Sequence, residues 1–176
     1  MAAVAAALFT DLIPLYPVYA VMFADPTVPG AGLNPAQISA LFIIWSVTSF
    51  VAEVPSGIVA DRLSRRRLLM ISPVITGGGF ALWTFTPSFV AFAVGFVLWG
   101  VGGSLRSGTA QALLYDELDE LGLAARYVRV AGRVRAAEAI GVLAGTALAG
   151  PLLAVGGYRA AGVAAVLSCC LLYTSD

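Results

Sequence analysis

The stretch Gly57-Ile58-Val59-Ala60-Asp61-Arg62-Leu63-Ser64-Arg65-Arg66-Arg67 decides the fold. It sets one acid and four arginines within seven residues, between long apolar runs on both sides. Charges at that density cannot sit in hydrocarbon, so the segment must turn at a membrane surface between two spanning helices. Composition agrees. Hydrophobic residues make up 60% and charged residues 11%, with a mean hydropathy of +0.91. A soluble domain carries about 25% charged residues, and a chain this poor in charge could not cover a water-facing surface. The class that follows is an all-α polytopic membrane protein.

Working outward from the turn, six apolar segments emerge, each to be compared with the ~20 residues a helix needs to cross. They cover about residues 4–23, 36–60, 68–85, 89–115, 136–155 and 160 to the end. The first is not a cleavable leader, because it lacks a basic start and is interrupted by Asp11, Pro14 and Pro17. Pro and Gly mark the short connections at residues 25–35 and 86–88. The longer link, residues 116–135, opens with four acids and closes with four arginines. Acids near the positive end of a helix and bases near its negative end suit a short surface helix there.

Orientation follows from the arginines, which supply all ten basic residues. Arg62, Arg65, Arg66 and Arg67 follow the second span, and Arg126, Arg129, Arg133 and Arg135 follow the fourth; Arg159 alone lies on the other side. The excess of positive charge puts both loops and the N-terminus in the cytoplasm. The all-arginine usage, with abundant Ala and Gly, hints at a GC-rich bacterial genome and therefore at a bacterial inner membrane. Net charge is zero, which offers no basic field for nucleic acid. With no His and only Cys169 and Cys170, the sequence offers no metal ligand cluster and implies no cofactor. The adjacent cysteines read as packing residues.

The last segment is unusual. Only 14 residues run from Ala160 to Tyr173 before a polar end. The closing residues Cys170-Leu171-Leu172-Tyr173-Thr174-Ser175-Asp176 resemble translated read-through of a sequencing adapter. The expectation is a domain over 1–169, a non-native tail over 170–176 and a natural chain that continues. The alternative is a short or tilted last helix with a genuine C-terminus.

With Gly57, Asp61, Arg62, Arg65 and Arg66 placed after a second span, the turn resembles the loop motif of the major facilitator superfamily, G-x-x-x-D-R/K-x-G-R-R/K. Ser64 stands where that family most often has Gly. The flanking Glu53-Val54-Pro55-Ser56-Gly57 and the run from Ser107 to Asp116 are similar to a branch of bacterial permeases in it. The resemblance implies the N-terminal six-helix half of a twelve-helix fold, itself a 3+3 inverted repeat, whose partner is the missing C-terminal half. It implies secondary transport of a small-molecule substrate by alternating access, proton-coupled, of permease or efflux type. It also makes Asp61 and Arg65 gate residues, Asp61 facing a helix N-terminus in the other half. For Arg66 and Arg67 a purely topological role is the plainer account. Two further family motifs fail: Phe96 stands where a fourth-helix arginine is common, and Gly150-Pro151 with Gly156-Gly157 misses the spacing of the antiporter motif.

Ionisable groups inside the bilayer cost at least ~2.5–3.5 kcal/mol, so they point to function or to a partner. Asp11 and Arg106 lie at similar depth toward the cytoplasmic side, and in the family fold their helices both line the cavity. A pair between them could bind substrate or couple a proton, because burial and a neighbouring guanidinium act in opposite senses on a carboxyl. A structural ion pair, or side chains snorkelling to the surface, is the alternative. Glu53 and Glu138 are candidate structural partners, the first for an arginine of the motif loop, the second for Arg133 or Arg135. Tyr16, Tyr19 and Trp45 could face the cavity, and Pro14 and Pro17 would bend the first helix. Trp83, near a helix end, suits an aromatic belt. Glycines such as Gly95, Gly100, Gly141 and Gly145 read as close helix packing. Without a P-loop or any His to act as base, direct ATP drive and hydrolase chemistry are disfavoured, and the chain is not an enzyme on this reading. The rivals are a non-transporting six-helix enzyme or scaffold, or a six-helix half that dimerises.

Overall fold

The structure, a computed structural model, describes residues 2–62 and 64–174, leaving aside the side chains of residues 2, 3, 5, 6, 57–62 and 171–174. Its helices are α1 (Ala2–Thr10), α2 (Tyr19–Ala24), α3 (Pro35–Arg62), α4 (Arg65–Phe85), α5 (Phe89–Glu120) and α6 (Tyr127–Thr174). Among the described residues, four stretches are long and apolar enough to cross a membrane: Pro35–Ser56, Arg65–Phe85, Phe89–Glu120 and Ala124–Cys170.

The first expected span is two short helices rather than one. Pro14 and Pro17 have no N–H to donate and push the residues before them out of the helical region. The backbone between α1 and α2 instead closes tight turns, with Ile13 N–H donating to Asp11 O at 2.9 Å and Val18 N–H to Leu15 O at 3.1 Å. A reciprocal cap starts α3: Asn34 Oδ1 accepts from Gln37 N–H at 2.9 Å, while Gln37 Oε1 accepts from Asn34 N–H at 3.0 Å. Pro35 then takes the first helical position, where its missing donor costs nothing. Ser88 Oγ caps α5 by accepting from Ala91 N–H at 3.2 Å.

The surface helix expected over residues 116–135 is not present as a separate element. The acids extend α5, Arg126 ends a short 3-10 turn (Ala124–Arg126), and Arg129, Arg133 and Arg135 lie on the first turns of α6. Gly122, at φ 68°, ends α5, and Leu123 N–H reaches back to Leu118 O at 2.7 Å. Extending α5 and α6 into this stretch gives most of its backbone groups intrahelical partners, which outweighs the charge pattern read from sequence.

The fifth and sixth expected segments are the two limbs of α6, broken at Gly156 and Gly157, where φ turns to 62° at Gly157. The limbs fold back on different partners. Gly141 and Gly145 lie against Leu8 to Ile13, so the first limb runs parallel to α1. Gly162 lies against Thr84 and Cys169 against Gly77, so the second limb runs antiparallel to α4. The core sits between α4, α5, α2 and the second limb of α6, around Phe23, Phe80, Trp83, Phe92 and Phe96. Trp83 is therefore a core residue and not part of an interfacial belt: it is 1% exposed, and its Nε1 donates to Phe92 O at 3.1 Å. Gly95 makes this possible, since a Cβ there would run into the indole.

Candidate functional site

The break in the first segment places Asp11 just past the end of α1, close to α5. Its Oδ1 lies 3.5 Å from Arg106 Nη2, with the side chains 14% and 36% exposed. Arg106 thereby also lies near the C-terminal carbonyls of α1, which favour a cation. The contact is single and at the long limit of a hydrogen bond, so the guanidinium fork keeps free donors.

A small recess of about 30 Å³ opens beside the pair, lined by Thr10, Tyr16, Ser72, Thr76, Trp99 and Arg106 among others. The α4 and α5 helices approach closely behind it, with Ser72 Oγ donating to Gly102 O at 2.8 Å. Gly103 leaves its front open, because nothing stands within 4 Å of where a Cβ would be. Larger recesses of about 500 Å³, between α3 and α5, and about 710 Å³, under residues 27–30 and 84–88, lie away from the charged pair.

Next to the recess stands a panel of part-buried rings. Tyr16 stacks on Trp99 at 5.2 Å, Trp45 tilts against Trp99 at 5.3 Å, and Tyr19 meets Trp99 at 5.9 Å and Phe42 at 6.1 Å. The three aromatics singled out in the sequence thus converge on one they omitted. Trp99 had a signal: Trp99, Gly103 and Arg106 follow the i, i+4, i+7 spacing of one helix face.

At the arginine-rich end, Arg65 at the start of α4 forms an ion pair with Asp116 near the end of α5. Nothing in the local sequence ties residues 51 apart. Glu138 pairs with Arg135 at 3.0 Å rather than with Arg133. Glu53 is exposed on α3, where its carbonyl accepts from Ser56 Oγ at 2.7 Å. Gly57, Asp61 and Arg62 fall on the last turns of α3, but their side chains, and all of Leu63, lie outside the described residues. Arg66 and Arg67 are exposed at the start of α4. On the far side, Asp25 closes a turn by accepting from Thr27 N–H at 2.9 Å and from its hydroxyl at 2.6 Å. Those bonds from Thr27 hold the Asp25 carboxyl below the usual carboxylate range.

Over residues 1–174 the chain matches the family described as the Major Facilitator Superfamily. The chain belongs to that superfamily. As a superfamily member it is similar to an uncharacterized MFS-type transporter of Schizosaccharomyces pombe, at 31% identity over 118 residues, covering 64% of this chain and 26% of that protein. It is also similar to a Na(+), Li(+), K(+)/H(+) antiporter of Planococcus maritimus, at 33% identity over 115 residues, covering 60% of this chain and 25% of that protein. The chain thus spans about a quarter of the length of the curated relatives it matches. No solved structure matches it. The superfamily and the four apolar helices make it a multi-pass membrane protein.

Proposed function

We propose that the chain is the first half of a secondary transporter that moves a small molecule by alternating access, coupled to protons. The observation that carries this is the Asp11–Arg106 pair, part-exposed between apolar helices and bordered by aromatic rings. Charges at that depth are too costly to face lipid, so the face they share lines a path that water and substrate enter. The antiporter relative, named for proton exchange, supports the coupling.

On this proposal the chain crosses the bilayer six times, as a 3+3 inverted repeat. The broken α1–α2 segment makes one crossing and the limbs of α6 make two. The arginine-rich end and the N-terminus face the cytoplasm of a bacterial inner membrane. A second six-helix half completes the path. Asp61 and Arg65 form this half's share of the cytoplasmic gate, with Gly57, Arg62 and Arg66 shaping the turn. The Arg65–Asp116 pair, linking α4 to α5, supports that assignment.

Everted vesicles from cells that make the chain with its downstream reading frame provide the test. After a proton gradient is imposed, alkali cations, organic cations and organic acids are added in turn. At least one class should collapse the gradient, and Asp11→Asn should abolish that response. A gradient indifferent to all three classes, in vesicles shown to contain the protein, would remove the proposal.

A further inference from the structure

The recess beside Arg106 has a chemistry of its own. Arg106 is its one charged lining residue among those described, and hydroxyls of Thr10, Tyr16, Ser72 and Thr76 supply the rest of its polarity. Thr76 is buried, its hydroxyl set against the bare Cα of Gly102 on α5. The volume, about 30 Å³, suits one water molecule or one small head group and excludes a ring. Immediately beside it, Tyr16, Trp99 and Trp45 pack on one another into an aromatic wall, and the bare Cα of Gly103 leaves the way open between rings and guanidinium.

We infer that this site takes an aromatic carboxylic acid, its carboxylate in the recess on Arg106 and its ring on the Trp99 panel. This rests on the transport path proposed above and names its substrate class. A carboxylate can meet the guanidinium fork through two parallel bonds, whereas Asp11 holds it through one long contact. A ligand carboxylate therefore competes with Asp11 for Arg106, which connects the substrate to the residue proposed for coupling. Helical side chains lean toward the helix N-terminus, so Arg106 reaches along α5 toward Trp99, about 10 Å away along the axis. An alkali cation is disfavoured in the same recess by the fixed charge of Arg106.

The test is calorimetric titration of the chain, purified with its downstream reading frame into lipid nanodiscs, with three molecules of one shape: 3-phenylpropionate, 3-phenylpropanol and 3-phenylpropylamine. The acid should bind at least about tenfold more tightly than the alcohol, the scale of a charge-assisted bidentate contact, and the amine should not bind. Arg106→Gln should remove the preference for the acid. Asp11→Asn, which removes the internal competitor, should tighten acid binding. If Arg106→Gln does not fold, Gly103→Leu, placed in open space, and the near-isosteric Thr76→Val serve instead, and both should weaken the acid alone. Equal binding of acid and alcohol, preference for the amine, or folded variants that bind the acid unchanged would each overturn the inference. Acid binding with a gradient indifferent to all three classes in the vesicle assay would remove the transport proposal and leave the site. Cation flux without acid binding would do the reverse.

Discussion

The two ends of this helical bundle are held by different forces. Away from the arginine-rich end, Phe23, Phe80, Phe92 and Phe96 are fully buried around Trp83, with Phe23 and Phe92 centred only 4.1 Å apart. Glycines let the backbones touch there: a Cβ on Gly79 would stand 2.8 Å from Gly95 O, and one on Gly30 would strike the Pro87 carbonyl. At the other end Arg65–Asp116 and Arg135–Glu138 are solvent-accessible ion pairs, and the deeper Asp11–Arg106 contact is long. Interlocked rings have one arrangement, and a sub-ångström shift is felt. Exposed ion pairs are worth ~0–1 kcal/mol and can exchange partners. An end that must open is better closed by the second kind of contact, and an end that serves as a pivot by the first.

The comparison breaks most readily at Trp83. Trp83→Ala removes the central ring and leaves Phe92 O without its donor. Such truncations cost ~3–5 kcal/mol in soluble cores; in lipid the water-transfer part is lost, leaving about 2–3 kcal/mol of packing. Thermal unfolding in detergent should show a large drop, and an unchanged midpoint would mean that the aromatic cluster is not a core. A paired glycine test sharpens the contrast. Gly79→Ala should destabilise by about 1–3 kcal/mol, because backbone stands where the methyl must go. Gly103→Ala, facing open space, should instead stabilise by about 0.5–1 kcal/mol through helix propensity. The same sign for both would erase the distinction between closed and open faces.

Much of this was legible in the sequence, for reasons that differ by residue. The turn at Gly57 to Arg67 announces itself because charge cannot hide in hydrocarbon, and the helix boundaries at Arg62 and Arg65 fall inside it. The Asp11–Arg106 contact was legible from similar depth together with the family resemblance, which puts both helices on one cavity. Trp83 was misplaced because closeness to a helix end says nothing about rotation around the helix. It is the bare Cα of Gly95, twelve residues on, that turns it inward. The acid-then-base run at 116–135 misled because macrodipole preferences, worth ~0.3–1 kcal/mol, are weaker than the backbone bonds gained by extending α5 and α6. The pairing of Asp116 with Arg65 carried no signal, because the two are brought near only when α4 and α5 pack.

The smallest expected effect is at that pair. In a double-mutant cycle with Arg65→Gln and Asp116→Asn, the coupling free energy should be only about 0.2–1 kcal/mol. It should shrink further between low salt and ~1 M, where the Debye length falls to about 3 Å. The side chains are 33% and 51% exposed, so water already solvates much of each charge. A coupling of ~3 kcal/mol, insensitive to salt, would belong to a buried pair and would make this end as fixed as the aromatic one. Weak coupling has a consequence for transport as well as stability. If the pair is a latch, each single variant should shift the vesicle response toward the cytoplasm-open state while leaving the unfolding midpoint nearly unchanged, whereas Trp83→Ala should lower the midpoint first. Separation of those two readouts follows only if the ends are held by different forces.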